Sequence, residues 1–376
     1  MRKKFLIVAH YSRFLVQFEM NNVKILQDMG YEVHYATNYQ QEDMYADAPQ
    51  RIRNAGVILH QIDFVRSPYL VSANIKAYRQ LKDLMKEERF DGVHCHTPMA
   101  GVLARLAANA THTRPVLYTA HGFHFYKGCP IQNKLIYETA ERFMARYTDA
   151  LITINEEDYQ AAQTFVLRGK AYKIPGVGVD VEKIQNMQVD RAEKRKELGV
   201  PEDAFVVISV GELIHRKNHI AVIRALKNIN IQKLYYVICG SGKLDAYLKE
   251  EVKKLGIEDK VLFAGFRSDV IELMDSADLF CFPSLQEGLP VALMEAMAVG
   301  MPCIASKIRG NVDLLPEKNL FDLNDEVMLI EKIEKAAAGQ LQTANDNAMI
   351  VKCDKAAVDE KMLEIYRLME NVRSVT

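Results

Sequence analysis

The sequence predicts an α/β protein built from two doubly wound parallel sheets. Short apolar runs alternate with stretches in which apolar residues recur every three or four positions, as at Ile75, Tyr78, Leu81 and Met85, the spacing of a helix face. The apolar runs lack polar alternation, which is typical of strands covered by helices on both sides. Two series of such runs occupy 376 residues, enough for two domains of about 150 residues each.

Eleven apolar runs are predicted to form strands. In the first half these are Phe5–Ala9, Val33–Ala36, Val57–Gln61, Gly92–Cys95, Val116–Thr119 and Ala150–Ile154. In the second half they are Phe205–Val210, Tyr235–Cys239, Val261–Ala264, Leu279–Phe282 and Cys303–Ser306. Ligands bind such sheets beyond the carboxyl ends of the strands, and two facing sheets would place a cleft there. Residues that follow strands are therefore the first candidates for a site.

The domain boundary is predicted near residues 174–180, where one proline and two glycines interrupt any regular element. We expect a first domain over residues 1–175, a linker over 176–200 and a second domain over 201–355. A final helix is predicted over residues 356–376. Its apolar stripe consists of Val358, Met362, Ile365, Tyr366 and Met369.

Composition excludes several classes of protein. Lys and Arg number 48 against 49 Asp and Glu, a net charge of −1, so binding of nucleic acid by charge alone is not expected. Residues 1–180 carry +4 and the remainder −5, which weakly favours an anionic partner for the first half. Six cysteines form no CxxC pair, as in a reducing cytoplasm. Without an apolar run of about 18 residues, we expect a cytoplasmic location, with attachment to the inner face of the membrane left open.

The strongest candidate site follows the predicted strand Leu279–Phe282. A loop carries Glu287 and Gly288, and a helix is predicted to start near Pro290. The unpaired N–H groups of a helix N-terminus suit a diphosphate. Glu287 and Glu295 are candidates to accept hydrogen bonds from sugar and ribose hydroxyls. The alternatives are a helix cap for Glu287 and a solvated charge for Glu295, although an acid in the apolar stretch around Glu295 needs a partner.

A second candidate follows the strand Phe205–Val210. The strand ends at Gly211, and a short loop delivers Arg216 and Lys217. Two cations at the end of a strand can neutralise a diphosphate and the charge that grows as it leaves. The alternative, a pair of solvated loop charges, is equally compatible with this segment.

Histidines form a third group. His94 and His96 end one strand and His121 follows the next. No carboxylate or cysteine completes a metal-ligand spacing, so we expect no metal. His94 is expected to be a hydrogen-bonded sheet residue, and His121, with His96, to face the cleft. No complete phosphate-binding fingerprint is present in residues 239–244, so no cofactor is expected either.

Taken together, these segments resemble the family-four glycosyltransferases of the GT-B fold, two facing Rossmann-like domains. The elements that match are Glu287 and Glu295 with their seven-residue spacing, Arg216-Lys217 and Ala120-His121-Gly122. Bacterial exopolysaccharide and capsule glycosyltransferases are the most similar members. They share the segments His121–Phe125, Ile152–Asp158, Ile174–Asp180 and Arg309–Leu314.

The resemblance implies transfer of a sugar from a nucleotide diphosphate to an acceptor hydroxyl, with retention and without a metal ion. It implies that Glu287 holds the donor sugar with backbone N–H groups of Gly288 and Leu289, and that Glu295 holds the ribose. It also implies that Arg216 and Lys217 hold the diphosphate near Gly211, that His121 contacts the sugar and that Arg267 lies beside the base.

Two departures from the family pattern bear on these roles. Glu212 follows Gly211 where many relatives carry arginine, and the usual glycine-rich first loop is replaced by Tyr11-Ser12-Arg13. We hypothesise that Arg13 supplies the missing cation.

The acceptor is expected to be a saccharide, in particular a lipid-linked one. Segments Phe64–Leu70 and Phe123–Lys127 mix aromatic and basic residues, as a surface that rests on anionic lipid would; ordinary loops are the alternative. Two other functions remain open, a nucleotide-sugar 2-epimerase of the same architecture and a non-catalytic nucleotide-sugar-binding subunit of a polysaccharide synthase.

Overall fold

A computed structural model describes residues 2–41, 46–341 and 347–373 of the chain. The chain divides into two compact units. The first comprises Met1–Val177 and Ala357–Thr376, and the second comprises Gly178–Ala356.

The first unit contains a seven-stranded sheet in the order β3-β2-β1-β4-β5-β6-β7, and every pairing in it is parallel. The strands are β1 Lys4–Tyr11, β2 Glu32–Asn38, β3 Ile58–Gln61, β4 Gly92–His96, β5 Val116–Ala120, β6 Ala150–Thr153 and β7 Lys170–Lys173. The six predicted strands are confirmed. The prediction missed β7, because this short edge strand has a lysine at each end and little apolar sequence.

The helices of the first unit lie between these strands. They are α1 Ser12–Phe14, α2 Met20–Asp28, α3 Ala48–Asn54, α4 Val71–Glu88, α5 Pro98–Thr111, α6 Ile131–Asn133, α7 Thr139–Ala145 and α8 Glu156–Gln163. Two π-helical turns, Leu15–Glu19 and Lys134–Glu138, interrupt the helical stretches. Such turns occur frequently at functional sites.

The second unit contains a six-stranded parallel sheet in the order β10-β9-β8-β11-β12-β13. The strands are β8 Phe205–Val210, β9 Leu234–Cys239, β10 Val261–Gly265, β11 Leu279–Phe282, β12 Cys303–Ser306 and β13 Leu320–Phe321. The five predicted strands are confirmed. Strand β13 was missed because two residues give no periodic signal. The predicted fold class, two doubly wound parallel sheets, is correct.

The helices of the second unit begin inside the stretch expected to be a linker. They are α9 Val181–Gln185, α10 Arg191–Glu197, α11 His219–Ala225, α12 Asp245–Leu255, α13 Val270–Ser276, α14 Val291–Val299, α15 Asn311–Leu314, α16 Glu326–Ala337 and α17 Asn347–Cys353. The 176–200 linker is therefore corrected to ordered structure of the second unit. Asp180 and Asp190 cap α9 and α10 by accepting backbone hydrogen bonds, a helix-start signal that the charged composition concealed.

The last helix, α18 Lys355–Arg373, packs on the first unit as predicted. The whole predicted apolar stripe is buried. The hydroxyl of Tyr366 lies 2.7 Å from Nδ1 of His94, and Asn21 donates to Asp359 at 2.8 Å. Residues of α18 therefore complete the structure around β4 and α2.

Candidate functional site

In the second unit, the loop after β8 brings the predicted basic pair to the end of the sheet. A short 3-10 helix, His215–Lys217, holds Arg216 and Lys217. The neighbouring loop approaches so closely that a Cβ on Gly240, where φ is +151°, would lie 1.9 Å from the carbonyl oxygen of Gly211. Only glycine permits this approach.

Three hydrogen bonds to backbone carbonyls join this 3-10 segment and the following Asn218 to the loop after β11. The backbone N–H of Leu285 donates to the carbonyl of Arg216 at 2.8 Å. The Arg216 guanidinium donates to the carbonyl of Gln286 at 2.9 Å, and Asn218 donates to the carbonyl of Pro283 at 3.1 Å. The two loops that the sequence singled out therefore form one structure.

Glu287 joins both predicted cations through a single oxygen. Its Oε1 lies 2.8 Å from Nη1 of Arg216 and 2.8 Å from Nζ of Lys217. The side chain of Glu287 is 9% exposed and that of Lys217 14%, whereas that of Arg216 is 40% exposed. Burial lowers the pKa of Lys217, and the Glu287 carboxylate opposes that shift. This junction thus joins two cations to one acid, with Arg216 accessible to a ligand.

Arg309 is a residue of this site that the sequence analysis did not assign. It is buried, and its Nε donates to the carbonyl of Glu287 at 3.1 Å. The next residue, Gly310, has φ +82°, and a Cβ there would lie 2.3 Å from the carbonyl oxygen of Gly288. The sequence feature that could have revealed Arg309 is its place, directly before Gly310, in the segment Arg309–Leu314 that resembles the family pattern.

The helix that follows the Glu287 loop is α14. Leu289 is buried, and Pro290 is the N-cap residue rather than the first helical residue that the sequence predicted, because its ψ of 118° is extended. Burial raises the pKa of Glu295 to about 7. In the described part of the chain, Glu295 has neither an ion pair nor a hydrogen bond from a side chain. Its oxygens are available to a ligand.

Arg267 and Glu212 differ from the basic pair in their surroundings. Arg267 follows the edge strand β10 and forms ion pairs with Asp269 at 2.6 Å and Glu197 at 2.5 Å. Glu212 is exposed. The structure therefore brings together Arg216, Lys217 and Glu287, with Gly211 and Gly288 in the same loops, but records no contact that joins Arg267 to them.

In the first unit, His121 follows β5 and lies beside a buried glutamate that the sequence analysis overlooked. Nε2 of His121 is 3.2 Å from Nδ1 of His96 and 3.8 Å from Oε1 of Glu19. Glu19 is 2% exposed and ends the π-helical turn. Burial raises the pKa of Glu19 to about 8 and lowers that of His121 to about 4. A π-turn gives no periodic signal, so Glu19 was not detectable from sequence.

Glu19 and His121 line one pocket of the first unit. Its other polar side chains are Asn21, Asn22, Thr119 and Asp359. Carboxylate, amide, hydroxyl and imidazole groups are those that bind sugar hydroxyls through hydrogen bonds. The lining therefore offers hydrogen-bond partners to a hydroxyl group that enters the pocket.

Glu19, His94 and His96 also lie within 4.8 Å of one another, as ligands of a metal do. However, both ring nitrogens of His94 have partners, Tyr366 at 2.7 Å and Thr119 at 2.8 Å. His94 is the hydrogen-bonded sheet residue that the sequence predicted, and it has no lone pair left for an ion. The absence of a metal remains a prediction.

Arg13 lies at the carboxyl end of β1. Its guanidinium carbon is 5.3 Å from the centre of the Tyr11 ring, and that of Arg66 is 4.5 Å from the same ring. Two cations therefore share one aromatic ring in the first unit. This arrangement does not test the hypothesis that Arg13 contacts the donor.

In the two aromatic segments considered as a membrane surface, Phe64–Leu70 and Phe123–Lys127, the phenylalanines alone are buried. Phe64, Phe123 and Phe125 pack in the core of the first unit, so they cannot form a lipid-binding surface. Tyr69 remains 83% exposed. Other large apolar residues are exposed around the second π-helical turn: Ile131, Leu135, Ile136 and Phe143.

Comparisons with known proteins identify the family. Residues 20–173 match the glycosyl transferase 4-like domain and residues 190–351 match glycosyl transferases group 1. The putative glycosyltransferase EpsD of Bacillus subtilis is 37% identical over 344 residues, which cover 89% of this chain and 87% of that protein. The chain belongs to the family-four glycosyltransferases.

Other relatives of this family-four glycosyltransferase include the UDP-Gal:alpha-D-GlcNAc-diphosphoundecaprenol alpha-1,3-galactosyltransferase of Escherichia coli. It is 35% identical over 256 residues, 66% of this chain and 65% of that protein. Anabaena HepE, solved in complex with UDP and glucose, superposes with a TM-score of 0.78 at 19% identity, covering 97% of this chain and 99% of that one. The glycosyltransferase has the GT-B fold, as the resemblance implied.

Proposed function

We propose that the protein transfers a hexose or N-acetylhexosamine from a nucleotide diphosphate, specifically a UDP-sugar, to a lipid-linked saccharide during synthesis of a cell-surface polysaccharide. The anomeric configuration is retained. The observation that carries the proposal is the junction of Arg216 and Lys217 on Glu287 at the ends of β8 and β11. Family membership supplies the class of reaction.

The junction suits a diphosphate that leaves. Arg216 is accessible and Lys217 lies behind it, so both can turn from Glu287 to phosphate oxygens when a donor binds. Release of the diphosphate concentrates negative charge on those oxygens, and cations already bound to them stabilise that charge. One such group is typically worth about 3 kcal/mol of activation free energy. No metal ion is proposed, because the two side chains supply the positive charge.

The remaining donor contacts follow from the loops around this junction. Glu287 accepts hydrogen bonds from sugar hydroxyls once the cations have turned away, with the backbone of Gly288 and Leu289 beside it. Glu295 accepts hydrogen bonds from the ribose hydroxyls. A ribose partner explains why an acid without a side-chain partner lies in an apolar stretch of the sequence. Recognition of the sugar in the first unit is assigned to His121.

Retention is proposed to follow from attack on the same face that the diphosphate leaves. The acceptor oxygen forms its bond to the anomeric carbon as the carbon–oxygen bond to the diphosphate breaks, and a diphosphate oxygen takes the acceptor proton. This route requires stabilisation of the leaving group and no carboxylate nucleophile. Arg216 and Lys217 provide that stabilisation.

The choice of donor and acceptor draws on the relatives. HepE was solved with UDP and glucose, and the Escherichia coli relative uses UDP-Gal and a diphosphoundecaprenol-linked sugar. Contact with anionic lipid is proposed for the exposed apolar residues Ile131 and Leu135, which lie beside the exposed cations Lys127 and Lys134. A location at the inner face of the cytoplasmic membrane would follow. No helix of residues 2–41, 46–341 and 347–373 has the length and hydropathy of a membrane span.

The test incubates purified protein with a panel of UDP-sugars and a short-chain polyprenyl-diphosphate saccharide. UDP release that requires the acceptor, together with a product whose anomeric configuration by NMR matches the donor, supports the proposal. Free UDP-sugar converted without acceptor would instead indicate the 2-epimerase. A donor that binds, raising the melting temperature, with no turnover on any acceptor would indicate the non-catalytic subunit.

A further inference from the structure

The cluster of Glu19, His96 and His121 is unusual because a buried carboxyl group lacks a cation. Among the described residues, the groups that face Glu19 are Asn22, which donates to Oε2 at 2.6 Å, the imidazoles of His94, His96 and His121, and the hydroxyl of Tyr366, none of them a cation near pH 7. Buried acids are rarely retained without a pairing charge. A structural role alone would be served better by an apolar residue, so the acid calls for another explanation.

The protons of this cluster can be assigned from its contacts. Burial lowers the pKa of His96 and that of His121, so near pH 7 each ring carries one proton. Nε2 of His96 is buried without a hydrogen-bond partner. An unpaired buried N–H is more costly than an unpaired lone pair, which places the proton of His96 on Nδ1.

That proton has two acceptors. Nδ1 of His96 lies 3.2 Å from Nε2 of His121 and 3.4 Å from Oε1 of Glu19. The shorter of the two contacts is with His121, and a proton on its Nε2 would face the His96 proton, so Nε2 of His121 is the acceptor; a neutral imidazole that accepts at Nε2 carries its own proton on Nδ1. When Glu19 is ionised, its Oε1 also accepts from His96. When Glu19 is protonated, Oε2 accepts from Asn22, so the carboxyl proton lies on Oε1 and faces the imidazoles; with His96 protonated on Nδ1, the acceptor left for it is Nε2 of His121.

We propose that Glu19 is a positioning residue that acts through His96 to hold His121 as the Nδ1–H tautomer. The side chain of His121 is 26% exposed and lines the pocket, and Nδ1 has no partner in the described part of the chain. His121 therefore presents an N–H donor to its ligand, a sugar oxygen that accepts. The use of that donor rests on the proposed function, whereas the tautomer does not.

The tautomer is measured on the full chain labelled with ¹⁵N in its ten histidines. Long-range ¹H–¹⁵N spectra at pH 7 distinguish the two neutral forms, and a His121→Gln spectrum assigns the signal. We expect the Nδ1–H form in the wild type and in Glu19→Gln, which keeps an acceptor oxygen. Glu19→Met, of similar volume but without an acceptor, should lose it. Exposed Glu87→Gln on α4 is the control.

Turnover supplies the second readout. Glu19→Met should lower kcat about tenfold to a hundredfold, the size expected when a contact group is misoriented, whereas Glu19→Gln should stay within about threefold. A wild-type spectrum that shows His121 with its proton on Nε2 would overturn the proposal. A His121 tautomer that is the same in Glu19→Met as in the wild type would also overturn it. If Glu19→Met does not fold, the wild-type spectrum still tests the proposed tautomer of His121. The spectra need no substrate, so a protein with the expected tautomer but no transferase activity would refute only the proposed function.

Discussion

The ammonium group of Lys217 donates to the carboxylate of Glu287 across 70 residues of sequence, with 2.8 Å between Nζ and Oε1. The same oxygen lies 2.8 Å from Arg216. Without a ligand, the acid therefore neutralises the cations that are proposed to hold a diphosphate. Donor binding and Glu287 compete for the same two groups.

Replacement of Lys217 should reduce turnover. Lys217→Ala removes one of the two cations that stabilise the leaving diphosphate, and the expected loss in kcat is about a hundredfold. Steady-state rates at saturating donor measure it, and Lys227→Ala, an exposed lysine of the same unit, is the control. Nearly intact activity would refute the assigned role.

Removal of the acid should separate binding from catalysis. Glu287→Gln frees the cations from their carboxylate, so we expect UDP to bind at least as tightly as to the wild type. Turnover should fall about tenfold or more, because the sugar loses a charged hydrogen-bond acceptor. Calorimetry with UDP and a transfer assay give the two values. Weaker UDP binding in this variant would contradict the competition.

Donor affinity should depend on pH through Glu295. Burial raises the pKa of this acid to about 7, and an ionised carboxylate accepts ribose hydrogen bonds better than a protonated one. Because the ligand favours the ionised form, affinity should fall as pH drops below about 7, by about tenfold between pH 8 and pH 6. Calorimetry across this range measures it. Glu295→Gln should show a flat profile, and an equal slope in both proteins would exclude Glu295.

Gly240 should tolerate no side chain. A Cβ would lie 1.9 Å from the carbonyl oxygen of Gly211, so Gly240→Ala must displace the loop that precedes Arg216. We expect a loss of about 3 kcal/mol or more in unfolding free energy. Gly256→Ala is the matched control, since its φ is +66° with nothing within 4 Å, and its cost should be about 1–2 kcal/mol. Equal costs in urea unfolding would show that the close approach is unimportant.

Membrane contact should depend on the second π-helical turn. Ile131→Ser together with Leu135→Ser removes two exposed apolar side chains, each worth about 1.5–3 kcal/mol when fully buried. Flotation with phosphatidylglycerol vesicles should fall more than tenfold. Val327→Ser, which alters an exposed aliphatic residue of the second unit, should float as the wild type does. A wild-type protein that stays at the bottom of the gradient would refute lipid contact.

Sequence periodicity predicted the sheets well because buried parallel strands are apolar throughout, as in β8 and β11. It failed at β7 and β13, where the strands are polar or only two residues long. Residues that follow strands, such as Lys217 and His121, could be predicted as site residues. In a doubly wound fold the carboxyl ends of the parallel strands lie at one edge of the sheet, where ligands bind. The pairing of Lys217 with Glu287 could not be predicted from periodicity.

Other features required three-dimensional contacts. Glu19 is an ordinary acid in the sequence, and its importance comes from burial at the end of a π-helical turn. Phe64 and Phe123 have the composition of a lipid-binding surface but pack inside the first unit, since apolar residues next to strands serve the core as readily as a membrane. Burial is the quantity that a single sequence leaves undetermined.

The position of α18 constrains how the protein is made. The residues that seal the surface around His94 and Asn21 are encoded after the entire second unit, so a ribosome must synthesise Gly178–Ala356 before the first unit can finish folding. Until then the nascent first unit leaves the apolar surface that α18 covers in contact with water, and such transient exposure favours aggregation.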